Sequence, residues 1–481
     1  MAVAFDRHGD EDPQALGAVA AEAFGHETTR YLCGAAYTDA GFRDAVLTRG
    51  REGFRARAPE VGVDVAMVTD HCRRALRSKA VRDLVLCPLS VVVLLAAAAT
   101  YGSFGMGLLP QRLALICGLG AIVITAWEAF SLDGLIRRRL TREGFRRQHA
   151  APEPHADSGN LVVYSGFSPF VGSGSDLGGW SFAVDLERAR DGVQARPLRS
   201  FELADLYRHI DGGFKALRLP NLQLSRKLFV SGRAIRGDRR FLPDVHKRPV
   251  SRVDEALVES YASGVSNEVR YYLCVEVVDW SGELAVTQFI RFRKLSSKLF
   301  VEFSAFLLPP LRPAYYDLDK VHPRLRFKDG VRILAVSVVK SWFLQILAPL
   351  LTFGRLLNAI GLWGLEGKQR KAINEDLLFD YGCAQSLREM AAGKEWRVYF
   401  QKLDKEMHHK ILQQQMLDSL VDFLDDHGVD TSEIKERTVH ILNNGVIVSG
   451  GSINAQGMAV GEGAQAKVAN AVRRTREKVS A

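Results

Sequence analysis

Two apolar stretches decide the fold: LVLCPLSVVVLLAAAATY at residues 84–101 and LALICGLGAIVITAWEAF at residues 113–130. Neither stretch contains a charged residue before Glu128, near the end of the second. Each is long enough to cross a hydrocarbon core of about 30 Å as a helix. The link between them, residues 102–112, is rich in glycine and carries one charge, Arg112. Because backbone polar groups in lipid must be satisfied within the chain, we predict two spanning helices joined by a tight turn.

Both outer flanks of this hairpin are basic. The first flank contains Arg73, Arg74, Arg77, Lys79 and Arg82. The second flank contains Arg137, Arg138, Arg139, Arg142, Arg146 and Arg147. Short segments rich in Lys and Arg stay on the cytoplasmic side. We therefore expect a multi-pass protein of the cytoplasmic (inner) membrane with both termini in the cytoplasm. A helical hairpin buried in a soluble core is the alternative.

Composition agrees with a small membrane part and a large cytosolic part. The chain has 481 residues, of which 25% are charged, as in ordinary soluble domains. The net charge of +9 favours an anionic membrane surface, so the lipid bilayer is the expected partner. Because no groove-reading motif organises the basic residues, we do not expect a nucleic-acid partner. The six cysteines form no CxxC pair, which is typical of reduced thiols facing the cytosol.

The pattern predicts an α+β protein in which a transmembrane helical hairpin carries a cytosolic helical and antiparallel-sheet domain. It divides the chain into seven segments. They are a cytosolic helical region (1–82), the transmembrane hairpin (83–131), a basic and polar linker (132–159), an α+β sheet domain (160–312), an amphipathic membrane-interface segment (313–365), a helical region (366–430), and a Gly-rich β-prone strip with a basic tail (431–481).

Period-two patterns identify the strands of the sheet domain. They cover Leu161–Ser165, Trp180–Leu186, Leu228–Ile235, Tyr271–Trp280, Ala285–Arg293 and Lys298–Phe306. The sequence Asp-Trp-Ser-Gly-Glu at residues 279–283 predicts a tight turn, so the last three strands should form an antiparallel meander. A helix is expected over Ser200–Lys215, with Ser200 as its cap.

The apolar stretch Val331–Trp363 differs from the first two. Lys340 lies near its middle, Pro349 interrupts it, and its polar residues fall on one arc of a helical wheel. A charge at mid-span costs at least about 2.5 kcal/mol. We therefore predict an amphipathic helix in the membrane interface, broken at Pro349. A helix packed on the sheet domain is the alternative.

Two segments could bind a ligand. The glycine loop at residues 172–179 follows a strand, but a strand pattern follows it, whereas a phosphate loop opens a helix. The basic run at residues 233–252 could hold phosphate groups. The candidate ligand-binding residues are Gly172, Gly174, Gly178, Arg233, Arg236, Arg239 and Arg240. A flexible loop and a solvated basic surface are the alternatives. No catalytic constellation, metal-ligand spacing or cofactor motif is evident.

The C-terminal stretch at residues 443–461 has no charge and no proline. Its β-forming residues Ile447, Ile453 and Val460 are set between glycines, a pattern that can stack between chains. We predict self-association through these three residues, and hence a homo-oligomer. A Gly-rich tail or an ordinary hairpin is the alternative.

This C-terminal strip weakly resembles the prion-like assembly motifs of bacterial immune signalling proteins and the RHIM-type motif of necroptosis proteins. Met-Ala-Val-Gly at residues 458–461 matches the apolar-x-apolar-Gly core, with Ala459 where that motif has glutamine. Taken whole, the chain resembles uncharacterised integral membrane proteins of actinobacterial type, rich in Ala, Arg and Gly. The resemblance implies assembly through the strip and no particular activity.

The leading hypothesis is a membrane-anchored scaffold or signalling protein whose C-terminal segment self-associates. The runner-up is a membrane-associated enzyme or binder of anionic lipid or nucleotide, with its site between the glycine loop and the basic run. A pore made of oligomerised hairpins is a weaker third class, because the apolar stretches lack intramembrane charges apart from Glu128.

Overall fold

The computed structural model describes residues 26–102, 109–148, 159–189, 197–263 and 266–444. Five helices precede the sheet: α1 (His26–Thr38), α2 (Ala40–Arg51), α3 (Val65–Gly102), α4 (Leu109–Arg139) and α5 (Arg142–Gln148). Two lie within the sheet region, α6 (Leu203–Ala216) and α7 (Glu255–Ser263). Four follow it: α8 (Phe327–Glu375), α9 (Leu387–Ala391), α10 (Tyr399–Asp426) and α11 (Ser432–Asn444).

Six strands form one sheet, in the order β1-β3-β4-β5-β6-β2. They are β1 (Leu161–Tyr164), β2 (Ser175–Asp185), β3 (Leu222–Ser231), β4 (Val269–Asp279), β5 (Leu284–Leu295) and β6 (Lys298–Leu308). The predicted antiparallel meander of β4, β5 and β6 is confirmed, with a 3-10 turn at Trp280–Gly282 between the first two. One pair, β1 with β3, is parallel. The α+β fold class predicted from the sequence is therefore confirmed.

The sheet has apolar side chains on both faces. On one face, Leu206 and Ile210 of α6 and Leu412 and Leu420 of α10 pack with the inward side chains of the strands to form the sheet core. On the other face, Phe170 from the β1–β2 connection is buried, 4.3 Å from Phe289 between ring centroids. This connection must cross the sheet, because β1 and β2 lie at opposite edges. Both faces are thus excluded from water, as expected for a sheet with covered faces.

A second apolar cluster, the junction core, joins the N-terminal helices to the hairpin and the sheet domain. It includes Leu32 of α1, Phe42 of α2, Cys72 of α3, Leu140 after α4 and Tyr315. Tyr315 lies in a 3-10 helix at Pro313–Lys320, just before α8. Leu387 and Ala391 of α9, just after α8, pack in the same cluster.

Three helices are long and apolar enough to cross a membrane, judged by length and composition. The segments are Val65–Ala98, Gln111–Arg139 and Phe327–Leu357. The second contains the stretch 113–130 that the sequence predicts to span, and the first overlaps the other predicted span, 84–101. The third overlaps the stretch Val331–Trp363 that the sequence predicts to lie in the interface. All six cysteines are free thiols; five are buried, and Cys87 is partly exposed.

The structure corrects three local expectations. Helix α8 is continuous from Phe327 to Glu375 through Pro349, rather than broken there, and it runs across the expected boundary at residues 365 and 366. Ser200 does not cap α6, because the helix begins later, after Glu202, which makes no side-chain cap. Gly178 lies inside β2 rather than in a loop, because the strand already begins at Ser175. The pairing of β2 with β6 shifts its register between Asp176 and Gly178, and the glycine is accommodated at this irregularity.

Candidate membrane interface

The three apolar helices present large side chains outward and small ones inward. Trp127 of α4 and Trp342 of α8 are each 70% exposed. In contrast, Ala121 of α4 and Ala348 of α8 are fully buried against Leu86 of α3. Small residues between helices with large apolar residues outside are typical of helices packed in lipid. An exposed apolar surface of this extent would be unfavourable in water.

A buried charge cluster ties the three helices together. Asp83 of α3 is fully buried. Its carboxylate forms one ion pair with Arg355 of α8 and a second, at 2.7 Å, with its sequence neighbour Arg82. Arg82 also reaches Glu128 of α4, at 2.9 Å. Charges in an apolar bundle persist when they pair in this way, because an unpaired charge there is strongly unfavourable. The cluster lies at the basic end of the hairpin, one residue before the apolar run that begins at Leu84.

Helix α8 contacts the same end of the hairpin twice. Near its start, Asp329 pairs with Arg137 of α4 at 3.2 Å. Further along, the Thr352 hydroxyl donates to the carbonyl oxygen of Asp83 at 3.2 Å, and Arg355 donates to that of Lys79 at 3.0 Å. Between these contacts Ala348 lies beside Leu86.

These contacts require α8 to bend. A straight helix would carry Arg355 about 39 Å from Asp329. Arg137 and Asp83 both belong to the basic end of one antiparallel hairpin, so their partners on α8 cannot be that far apart along its axis. Pro349 follows Ala348, which packs with Leu86 and Ala121. Proline removes one helical hydrogen bond and clashes with the preceding turn, a common cause of kinks.

A buried arginine connects the hairpin to the soluble part. Arg30 of α1 is fully buried and donates to the carbonyl oxygen of Leu140 at 3.0 Å, just after α4 ends. It also pairs with Glu27 at 2.7 Å and with Asp319 at 2.5 Å. Asp319 in turn accepts from the Tyr31 hydroxyl at 2.7 Å. The orientation of the hairpin relative to the sheet domain is therefore fixed by directional bonds as well as by the junction core.

A second polar group lies on the sheet side of this junction. Glu283, after the β4–β5 turn, accepts from Arg397 at 2.8 Å and from the Gln401 amide at 2.9 Å. The fully buried Arg388 of α9 donates to the backbone carbonyls of Glu283 and Pro309 at 2.7 and 2.6 Å. Burial lowers the pKa of the Arg388 guanidinium to about 10, which still leaves it charged at neutral pH.

The predicted ligand residues are not brought together. The glycine loop precedes β2 at one edge of the sheet, whereas the basic run follows β3, with β4, β5 and β6 between them. The strand directions also place the start of β2 and the end of β3 at opposite ends of the sheet. A site formed between the two segments therefore has no geometric basis.

All but one of the candidate ligand residues have polar partners within the protein. The amides of Gly172 and Gly174 donate to one carboxylate oxygen of Glu389, at 2.8 and 2.9 Å. The remaining partners are Asp176 for the Gly178 amide, Asp380 for Arg233, the carbonyls of Ile373 and Asp376 for Arg236, and Asp238 for Arg240. Arg239 has an exposed side chain. Glu389 thus takes the place that a bound anion would have at these amides.

Sequence reasoning missed the charged residues that organise the interface. Arg30, Asp83, Asp319 and Arg355 pair across long sequence separations, and none of them belongs to a recognisable motif. One signal was present: Arg355 falls on the polar arc of its apolar segment. The self-association residues Ile447, Ile453 and Val460 lie outside the residues that the structure describes.

Comparison with known proteins gives one family. The AbeC-like domain matches residues 179–455, which include most of the sheet, all of α8 and the start of the C-terminal strip. The α3–α4 hairpin lies before the matched region. No curated protein and no solved structure matches the chain.

Proposed function

The chain belongs to the uncharacterised AbeC-like domain family, and from this premise we propose that it is a membrane-anchored scaffold or signalling protein. In this proposal the membrane helices hold the sheet domain at the cytoplasmic face, and the C-terminal strip mediates self-association. That the protein is membrane-associated follows from its three apolar helices.

One observation carries the proposal: the segments before and after α8 form a single folded unit. Leu311 and Ala392 form an antiparallel bridge, and Gly393 donates to the carbonyl oxygen of Pro310 at 2.7 Å. Leu412 and Met416 of α10 pack in the same core as Ile290 of β5. A hydrophobic core cannot be divided by a bilayer, so both ends of α8 belong on one side of the membrane.

It follows that α8 enters the membrane and returns to the side it came from. Ala348 packs with Leu86, near the start of the apolar run of α3, and with Ala121, near the middle of the apolar run of α4. We therefore place α8 in the leaflet nearest the sheet domain, with Trp342, Phe343 and Leu350 against lipid. This agrees with the interface helix expected from the sequence rather than with a third span, because Lys340 would lie at mid-span in a straight crossing.

The same reasoning places the N-terminal helices beside the sheet domain. Arg30 bonds to Asp319, and the Thr28 hydroxyl donates to the carbonyl oxygen of Ser281 at 3.0 Å. The α3–α4 hairpin therefore also leaves and returns on one side, and its basic flanks assign that side to the cytoplasm. All soluble parts that the structure describes form one body at the cytoplasmic surface, a suitable arrangement for presenting a C-terminal segment to partners.

The C-terminal strip begins after Asn444, where α11 ends. Because α11 packs through Ile434 on the sheet core, the strip starts from the cytosolic body. It is uncharged and proline-free and contains β-forming apolar residues, the properties of segments that associate through stacked β-strands. The strips of two anchored copies would need only a weak affinity for each other, because anchoring in one membrane raises their effective concentration.

Crosslinking tests self-association. The full chain, in membranes of expressing cells, would be compared with the double variant Ile453→Asp/Val460→Asp, which places charges in any dry stacked interface. The matched control is Glu462→Lys/Lys467→Glu, which alters charge outside the apolar residues and leaves the net charge unchanged. We expect oligomers in the wild type and control, and monomer in the Asp variant. Equal crosslinking of the wild type and the Asp variant would contradict assembly through the strip.

A further inference from the structure

The first turns of α10 carry an exposed apolar stripe. Its side chains, each between 44 and 68% exposed, are Tyr399, Phe400, Leu403 and Met407. They recur at the three- and four-residue spacing of one helix face, before Leu412 enters the sheet core. An apolar stripe of this size outside the membrane helices is unfavourable in water and indicates a contact surface.

The stripe lies near the start of α1. Trp280 of the β4–β5 turn donates from its indole Nε1 to Asp404, in the same turns of α10, at 2.8 Å. The next residue of the β4–β5 turn, Ser281, accepts from the hydroxyl of Thr28, in the first turn of α1, at 3.0 Å. The chain before α1, residues 1–25, therefore joins the described body at a point from which a few residues can reach the stripe.

The sequence just before α1 predicts an amphipathic helix over residues 13–24. Asp12 and Pro13 suit the N-cap and the first helical position, and Gly25 is typical of the position after a helix. The apolar residues recur at helical spacing on one face: Leu16, Val19, Ala20, Ala23 and Phe24. A lone helix of about twelve residues is marginal in water, so this one needs an apolar surface to pack against.

The N-terminal segment and the stripe also match in length and in charge. The stripe extends about 12 Å along α10, and residues 13–24 would extend about 18 Å as a helix. Residues 1–25 contain five acidic residues and one arginine. The stripe is bordered by two exposed cations, Lys402 and Lys410. Opposite charges at the rim of an apolar contact favour the matching partner over others.

We propose that residues 13–24 pack as a helix on the stripe of α10 within the same copy of the protein. The apolar face of the segment covers the stripe, and Ala20 and Ala23 on that face let the two helices approach closely. Because Gly25 alone separates the segment from α1, its effective concentration at the stripe exceeds that of a second copy. This contact does not depend on self-association of the C-terminal strip.

Hydrogen exchange of the full-length protein in detergent micelles tests this contact. We expect the amides of residues 13–24 to be protected in the wild type. Phe400→Asp in the stripe and Val19→Asp in the segment place a charge in the contact, so each should speed this exchange at least about tenfold. The matched controls are Phe167→Asp, at an exposed phenylalanine near the opposite end of the sheet, and Ala18→Asp, on the opposite face of the segment. Each control should change the exchange by less than about threefold.

Crosslinking identifies the copy that supplies the segment. Gly17→Cys and Lys402→Cys would be joined by a short bismaleimide, with the unsubstituted protein as background. The double Asp variant of the C-terminal strip serves as the host, so that assembly through the strip does not contribute. We expect a crosslinked product at the mass of one chain, and much less of it when Phe400→Asp is added.

Three results would overturn the proposal. One is rapid exchange of residues 13–24 in the wild type. Another is protection that Phe400→Asp and Val19→Asp leave unchanged. The third is a crosslinked product at the mass of two chains, which would assign the stripe to a second copy. The exchange of the β5 amides shows whether each variant keeps the fold of the sheet, and the two variants lie on different partners, so that either one alone tests the contact.

Discussion

The backbone N–H of Cys383 donates to the carbonyl oxygen of Val163 at 3.0 Å, although the whole of α8 lies between them in the chain. Ser165 returns the contact by donating to the carbonyl oxygen of Cys383 at 2.8 Å. The segment after α8 thus extends the edge of the sheet beside β1. Strand-like pairing of this kind is possible only when both segments occupy the same compartment. Helix α8 therefore leaves one folded body and returns to it.

The pair of Asp83 and Arg355 should stabilise the return of α8. Asp83→Ala removes the buried partner of both Arg82 and Arg355 and should lower the free energy of unfolding by about 3–5 kcal/mol. Arg355→Ala should lower it less, by about 1–3 kcal/mol, because Arg82 still pairs with Asp83. The double variant should be less destabilised than the sum of the two, with a coupling of about 0.5–3 kcal/mol.

Thermal unfolding in detergent micelles measures this coupling. Lys368→Ala is the matched control, because Lys368 is an exposed cation of the same helix; it should change the free energy of unfolding by less than about 0.5 kcal/mol. Strict additivity of the two charge deletions would show that Asp83 and Arg355 do not interact.

Arg30 should hold the hairpin to the soluble body. Arg30→Met keeps much of the side-chain volume but removes the buried cation that joins Glu27, Asp319 and the Leu140 carbonyl oxygen. Because Arg142 still pairs with Asp319 at 2.9 Å, the loss should cost about 1–3 kcal/mol. Arg208→Met is the comparison, since Arg208 makes an exposed pair with Asp205 that is worth at most about 1 kcal/mol. Chemical unfolding followed by tryptophan fluorescence compares the two. A similar small effect in both variants would mean that the junction core alone fixes the hairpin.

His409 should make the sheet domain sensitive to acid. Burial against the sheet lowers the pKa of this imidazole below 6.5, opposed in part by Glu406 and aided by Lys405 and Lys410. Because the folded protein favours the neutral ring, the contribution of His409 to stability is present above about pH 6.5 and is lost as the pH falls through the lowered pKa. Phe303 lies beside the ring.

Unfolding at a series of pH values between 7 and 5 measures this effect. The wild type should lose stability over this range, and His409→Gln should lose less. His322→Gln, at an exposed histidine, should retain the wild-type slope. An identical slope in the wild type and in His409→Gln would exclude His409 as the source.

The strands were predictable because their patterns are local. Alternating side chains and the Asp279–Glu283 turn identify β4, β5 and β6 within a few residues of their observed bounds. The partners of β1 and β2 were not predictable, since the connection through Phe170 carries the chain to the opposite edge of the sheet. Nothing in the sequence near Phe170 signals which edge it reaches.

The apolar helices of the candidate membrane interface were partly predictable for the same reason. The apolar runs and basic flanks are local, and α8 joins the other two helices as a third that is long and apolar enough to span a membrane. The sequence predicts a break at Pro349, but α8 continues through it. A proline can kink a helix while the other backbone hydrogen bonds of the helix persist. The pairing of Arg355 with Asp83 depends on tertiary contacts that no local pattern encodes.

Labelling of single cysteines at the two ends of α8 tests the central claim most directly. Lys328→Cys and Lys371→Cys are exposed positions on either side of the apolar part of the helix. A membrane-impermeant maleimide would be applied to inverted and to right-side-out vesicles, with the unsubstituted protein as background and Ser103→Cys in the hairpin loop as the opposite-side control. We predict that both α8 cysteines react in inverted vesicles alone, whereas Ser103→Cys reacts in right-side-out vesicles. Reaction of Lys328→Cys and Lys371→Cys from opposite sides would contradict the account, because α8 would then cross the membrane.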